Sequence, residues 1–212
     1  MNWGNFLKRV GKLPVIDAEL LLAGKPETAS LKVQLCRWQK SGKLIQVRRG
    51  IYVLAEPYRK LDIFEPYLAS LLKKPSYVSA EKALEYHGLI PEAVPVYTSV
   101  TTKRPEKIVS SLGIFDFRHI KKTFFWGYNS VTVNKQTGFI ASPEKALLDF
   151  FYLKGLKISP AYLEELRLEN TEKLDLEKLV LYAKKFKKPG VLRVARMLKK
   201  HIISLKAKEK KL

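Results

Sequence analysis

Two adjacent arginines, Arg48 and Arg49, sit at the tip of a short hairpin that follows directly on a cationic helix. Arginine presents a planar fork of donors that fits a phosphate or a guanine edge. On the helix, Leu31, Leu35 and Trp38 recur at i, i+4 and i+7, which predicts one buried face. The opposite face then presents Thr28, Ser30, Lys32, Val33, Arg37, Gln39 and Lys40. Thr28, Ser30 and the first amides of the helix are placed to touch phosphate. Lys32, Val33 and Arg37 are the residues expected to face a groove, with Gln34 and Cys36 less defined. Lys43, at the start of the first hairpin strand, adds a phosphate contact. Arg48 and Arg49 would enter a minor groove or clamp the backbone. For any single cation, the alternative is a solvated surface charge.

Catalytic chemistry is harder to read from the chain. His87, His119 and His201 lie far apart, without ligand spacing of the HExxH kind. There is no P-loop, no GxGxxG and no GxSxG. The reading is therefore not an enzyme, with no cofactor and no metal. One alternative keeps Glu81, Asp116, Glu144 and Asp149 as carboxylates that converge on a metal, which would make a nuclease targeted by the basic helix. A second alternative lets Phe124, Phe125, Trp126 and Tyr128, interleaved with lysines, stack on RNA bases. Cys36, the one cysteine, is read as a small filler. His87, just before Gly88, is read as a cation-capable helix C-terminus. His119 is read as a satisfied core or surface histidine.

The elements that would position these residues follow from periodicity and punctuation. Asn5–Val10 reads as a lead helix. Pro14–Ala23 reads as a second, apolar at Ile16, Leu20 and Ala23 with Leu21 and Leu22 widening the stripe, Pro14 in its first turn and Gly24 stopping it. GKPE is a turn, and Thr28 or Ser30 caps the basic helix, which Ser41-Gly42 ends. Leu44–Arg48 and Ile51–Leu54 are strands around Arg49-Gly50. Glu56-Pro57 opens a linker. Beyond it, the pattern predicts a helix over Ile63–Leu72 and a second helix capped by Ser79 and stopped at Gly88. Strands are predicted over Val96–Thr101, Gly113–Ile120 and Thr123–Tyr128, with a hairpin over Val131–Val133 and Gly138–Ile140. Ser142-Pro143 and Ser159-Pro160 each pair a cap with proline at the first helical position, and helices follow near 143–153, 160–168, 175–187 and 190–203. Two segments echo one another, Ser79 to Leu84 (SAEKAL) and Ser142 to Leu147 (SPEKAL). Both are good helix starts, which accounts for the echo, with a shared functional role as the alternative.

Over 212 residues the formal net charge is +20, which favours polyanionic partners. At 46% hydrophobic the chain can bury a core. A lone cysteine excludes a disulfide framework and suits a reducing cytoplasm, and no apolar run reaches transmembrane length. No signal peptide is read at the N-terminus. The fold class is therefore α+β. A winged helix-turn-helix is expected over residues 1–58, and a mixed α/β domain ending in several helices over 62–204. Residues 205–212 form a basic tail, read as disordered.

The order of the pieces resembles a known family. A basic winged helix with the ribbon RRGIYVL precedes YVSAEKALEYHGLIP, then VYTSVTT, FDFRHI and ASPEKALLDFFYL. This is similar to the AbiEi-type antitoxins of type IV (abortive infection) toxin–antitoxin systems, over roughly residues 5 to 200. The resemblance implies a repressor that binds an inverted-repeat operator in double-stranded DNA, as a monomer or a dimer, and regulates its own operon. It also implies a C-terminal domain that counteracts a nucleotidyltransferase-type toxin without a stable complex. Carried onto this chain, Lys32, Arg37, Arg48 and Arg49 would be DNA contacts. Ser79, Glu81, Lys82, His87, Arg118, His119, Ser142, Glu144, Lys145 and Asp149 would belong to the antitoxin domain. The C-terminal half is itself strongly basic, a departure that would let it touch nucleic acid too.

Overall fold

The computed structural model describes the backbone of residues 1–23, 28–155 and 158–209, with the side chains of Thr28, Pro160 and 205–209 outside the description. It is an α+β protein built on two sheets. The GKPE turn and its Gly24 lie outside the described residues, as do the final three residues of the tail.

The first sheet organises the N-terminal elements. Helix α1 (Trp3–Val10) is capped by Asn2, whose Oδ1 accepts from the amide of Asn5 at 2.9 Å. Strand β1 (Ile16–Asp17) stands where the second helix was expected to begin, and α2 is only Ala18–Leu22. The expected stripe holds in part: Ile16, Leu21 and Leu22 are buried, whereas Leu20 and Ala23 are exposed. The helix starts later than expected, so Pro14 lies outside its first turn: Asp17 is the cap, and its Oδ1 accepts from Glu19 N at 2.9 Å. Moving the helix start moves its face, so Ala18, Leu21 and Leu22 are buried while Leu20 is 75% exposed. Helix α3 (Thr28–Lys40) follows, then β2 (Leu44–Arg48) and β3 (Ile51–Leu54). The strands run in the order β1-β3-β2, all antiparallel, with Ile16 opposite Tyr52 and Leu44 opposite Leu54. Phe6, Val10, Leu31, Leu35 and Trp38 fill the core between helices and sheet, with Phe6 and Trp38 rings 4.5 Å apart.

The second sheet has six strands in the order β6-β7-β5-β4-β9-β8. Its elements are α4 (Glu65–Leu72), β4 (Ser76–Val78), α5 (Ala80–Tyr86), β5 (Val96–Thr101), β6 (Glu106–Ser110), β7 (Gly113–His119), β8 (Tyr128–Val133) and β9 (Gln136–Ala141). Helices α6 (Pro143–Leu153), α7 (Pro160–Glu165), α8 (Leu176–Lys185) and α9 (Pro189–Glu209) complete it. Strands β5 and β7 are parallel, as are β4 and β9, so the sheet is mixed. Gly138 of β9 lets α4 approach: a Cβ there would sit 2.6 Å from the Pro66 backbone. Strand Thr123–Tyr128 does not form. A 3-10 turn covers Lys122–Phe124 and Gly127 takes φ +77, because the aromatic run packs on α8 rather than pairing in the sheet. The Phe124 ring lies tilted 4.8 Å from Phe186, and Trp126 lies 4.9 Å from Tyr182. The last helix runs through Glu209, so residues 205–209 of the expected disordered tail are helical.

The two sheets meet across an apolar joint. Val15, Val47, Ile51 and Val53 of the N-terminal elements belong to the same buried cluster as Leu68, Phe117 and Ile140 of the second sheet. An ionic fastener closes the rim. Arg48 donates to the carbonyl of Leu72 and lies 3.6 Å from Glu106, which also holds Lys73 at 2.5 Å. The hydrogen bond from Lys73, with Arg48 behind it, holds the Glu106 carboxyl below its usual range. Because buried apolar surface crosses the joint, calorimetry of the intact chain should show one cooperative transition. Two well-separated transitions in the wild type would contradict a shared core.

Candidate functional site

Helix α3 buries Leu31, Leu35 and Trp38, as its spacing predicts, and exposes Ser30, Lys32, Val33, Cys36, Arg37, Gln39 and Lys40. Val33 is 51% exposed, an apolar side chain held in water among cations. Cys36 is exposed too, so it fills no core. Gln34 is half-buried, and its Oε1 is buried without a hydrogen-bond partner. Ser30 lies inside the first helical turn and is not the cap; the Thr28 side chain lies outside the described residues.

The hairpin divides its two arginines. Arg49 is exposed beside Gly50, whose φ of +85 makes the tight turn. Arg48 keeps 42% of its side chain exposed but is tied to the joint through the Leu72 carbonyl and Glu106. Lys43 is half-buried with its ammonium 5.2 Å from the Trp3 ring centre, a cation–π contact rather than a free phosphate ligand. Lys32, Arg37 and Lys40 on α3 and Arg49 at the hairpin turn are exposed, and none of the four makes an ion pair to any described residue.

Five of the ten motif residues of the larger unit, Ser79, Ser142, Glu144, Lys145 and Asp149, are buried; the other five are not. Lys145 and Asp149, one helical turn apart on α6, form a fully buried ion pair. Tyr77 Oη donates to Asp149 Oδ2 at 2.9 Å, and Ser79 Oγ donates to the same oxygen at 2.8 Å. Lys145 Nζ also donates to Tyr77 Oη at 2.9 Å. Around the ammonium stand Phe186, Trp126 and Tyr77, with ring centres 5.0, 5.1 and 5.5 Å away. Gly127 completes the enclosure, since a Cβ there would lie 3.1 Å from Lys145 Cγ. Burial pulls the Lys145 amine down and the Asp149 carboxyl up from their usual ranges, and each charge opposes the shift of the other.

Ser79 therefore does not cap α5: its hydroxyl is spent on Asp149, and the helix starts at Ala80 with φ 51, a strained value for a residue with a side chain. Ser142 does cap, accepting from Lys145 N at 3.4 Å and donating to Glu144 Oε2 at 2.9 Å. Glu144 reaches α8 through Lys178 at 2.9 Å and accepts from the Asp175 amide at 3.2 Å. Burial alone would raise the Glu144 carboxyl, but the hydrogen bonds from Lys178, its own amide, Ser142 and Asp175 outweigh it. His87 Nε2 lies 2.8 Å from the carbonyl of Ala141, and burial lowers its pKa. It stands as a neutral link between α5 and β9, which corrects its reading as a helix-end cation. Lys173, donating to the His87 carbonyl at 3.1 Å, supplies that positive charge instead.

Glu81 pairs with Lys154 at 3.7 Å, and Lys82 bonds Glu85 at 2.7 Å. Arg118 pairs with Asp116 at 3.4 Å, and exposed His119 turns Nδ1 to the Lys103 carbonyl at 3.1 Å. Among the described residues no three His, Cys, Asp or Glu side chains gather at a spacing that could hold a metal ion. Asp149 and Glu144 are engaged as above, away from Asp116. Phe124 is buried, and Phe125, Trp126 and Tyr128 pack against the core instead of offering free stacking faces. Among the described residues no helix is long and apolar enough to cross a membrane.

Tyr77, Lys178, Glu106 and Lys73 were not singled out from the sequence. The spacing of Lys145 and Asp149, i and i+4 inside the apolar PEKALLDFFYL run, is a local signal for their bridge that went unread in the sequence, and no local pattern marks the partners that distant segments bring to it. No protein-family model and no curated protein matches the chain.

Two outcomes test this core. Asp149→Asn strands a buried ammonium and should lower unfolding stability by ~3–5 kcal/mol in urea titration, whereas Lys145→Met with Asp149→Leu should cost clearly less. A single variant within about 1 kcal/mol of wild type would show the pair to be dispensable. His87, with its folded pKa lowered, leaves the unfolded chain to take up the proton first. Stability is thus full above about pH 6.5 and falls as pH drops through that value toward the lower folded one. Urea midpoints at pH 7.5 and 5.5 should differ less for His87→Gln than for wild type; equal differences would remove His87 as the cause.

Proposed function

We propose that this chain is a sequence-specific DNA-binding repressor that also serves as the antitoxin of a type IV toxin–antitoxin system. In this reading the N-terminal elements are a winged helix-turn-helix, with α3 as recognition helix and the β2–β3 hairpin as wing. One observation carries it: Lys32, Val33, Arg37 and Lys40 stand exposed on one side of α3, with exposed Arg49 at the neighbouring hairpin turn, while Leu31, Leu35 and Trp38 anchor the other side. The surplus of cations over the whole chain, +20, supports attraction to a polyanion.

The mechanism has two parts. Lys40 and Arg49 neutralise phosphates and fix the protein on the duplex, releasing counterions and making affinity fall with salt. Lys32 and Arg37 hydrogen-bond base edges in the major groove, while Val33 offers a methyl-sized apolar contact such as a thymine methyl would accept. An inverted-repeat operator is read by two such units in a cytoplasmic setting, and occupancy represses the chain's own operon. The antitoxin role rests on the order of the sequence pieces and belongs to the larger unit, which would antagonise a nucleotidyltransferase-type toxin without forming a stable complex with it.

Band-shift titration on the DNA just upstream of the coding region provides the test. Arg37→Glu should abolish the shift while leaving the circular dichroism unchanged. Arg49→Ala should weaken binding to all sequences alike and reduce the log–log salt slope by about 1. Wild-type affinity in both variants would overturn the interface.

A further inference from the structure

The two edges of the six-stranded sheet are unlike. Edge strand β6 carries Glu106 and Lys107, follows Lys103 and Arg104, and is fastened to β2 through Arg48. Edge strand β8 pairs with β9 alone, and among the described residues no other element packs extensively against it. Its sequence, YNSVTV, has no charge. From Thr123 to Pro143 the single charged residue is Lys135, where the chain's average of 28% would place about six.

Much of this charge-poor run faces solvent. Asn129, Ser130, Thr132 and Thr137 are exposed, Val133 is 41% exposed and Phe139 36%. Sheet proteins blunt a free edge with lysines, prolines, bulges or a covering element. Strand β8 has no lysine, no proline and no irregularity in its register with β9. A chain of net charge +20 repels its own copies wherever cations oppose one another, and β8 is a surface where they do not. Identical edges that pair antiparallel form a two-fold, self-complementary interface. Valine, threonine, serine and asparagine would then be the cross-strand neighbours, with no like charges opposed.

We propose that two copies of this chain associate through β8, edge to edge and antiparallel, into one continuous sheet. A pair of such short edges is a small interface, so the association is weak and concentration-dependent. The N-terminal units adjoin β6 and therefore stand at opposite ends of the joined sheet, separated by roughly 50 Å of strand spacings.

Sedimentation equilibrium of the full chain in high salt, which screens the net charge, reads this directly. The average mass should climb from 24.4 kDa toward twice that value as concentration rises from about 10 μM to about 1 mM. Ser130→Lys with Thr132→Lys should hold the mass at the monomer value with an unchanged thermal midpoint; Thr132→Lys alone serves if the pair disturbs folding. A wild-type mass fixed at 24.4 kDa over that range overturns the proposal. So does a folded lysine variant that associates like wild type, which would place self-association elsewhere. Exchange of the β8 amides should slow with concentration in the wild type only.

Discussion

A lysine and an aspartate with no exposed side-chain surface constrain everything around them. Taking both charges out of water costs several kcal/mol per ion, and their attraction offsets this only with good geometry and further hydrogen bonds. Here the further bonds come from Tyr77 and Ser79, on and just after a strand distant in sequence from α6. That requirement fixes the neighbourhood. It brings β4 against α6, and Gly127 leaves room for the lysine stem. It also turns the Ser79 hydroxyl away from the helix it precedes, leaving Ala80 in a left-handed conformation that a side chain disfavours. The local strain and the buried pair are two sides of one arrangement.

Several of the acidic residues are engaged in holding the fold together. Asp149 is consumed in the core, and Glu144 ties α6 to α8. Asp17 and Asp175 cap helices, and Glu106 fastens the joint between the two sheets. The buried Lys145–Asp149 pair is neutral as a unit, so the surplus of 40 basic groups over 20 carboxylates falls on the rest of the chain. Glu106 also reaches Arg48, whose side chain stays 42% exposed. The hairpin is thereby tied down beside its turn, at the residue that precedes exposed Arg49.

Local signals were legible where a single segment decides the outcome. The periodicity of Leu31, Leu35 and Trp38 gave the right buried face of α3, because helix geometry alone sets it. Ser142-Pro143 and Ser159-Pro160 marked helix starts correctly, since both serines accept from amides of the turn they precede. Where distant segments decide, the reading failed. Strand β4 has only three residues and its strand character comes from β5 and β9 on either side. The FFW run has the composition of a strand, yet α8 offers those rings a better-packed surface than a seventh strand position would. Arg48 and Lys43 looked like free cations because nothing nearby in sequence shows that Glu106 and Trp3 would claim them.

The echoed segments SAEKAL and SPEKAL make the limit concrete. By every local rule the two serines are equivalent: each precedes a helix and each has a glutamate in the first turn. Ser142 behaves as that rule says. Ser79 does not, because the second segment is followed one turn after its lysine by Asp149, and that carboxylate needs a donor from outside its own helix. The first segment, on α5 packed beside α6, supplies it. Lys82, equivalent to Lys145 in the echo, has no acidic residue four positions on, where Tyr86 stands, and instead reaches Glu85 and the Tyr97 ring near the surface. A repeated hexapeptide thus performs two different tasks, and the difference is written in the residues just after it rather than in the repeat itself.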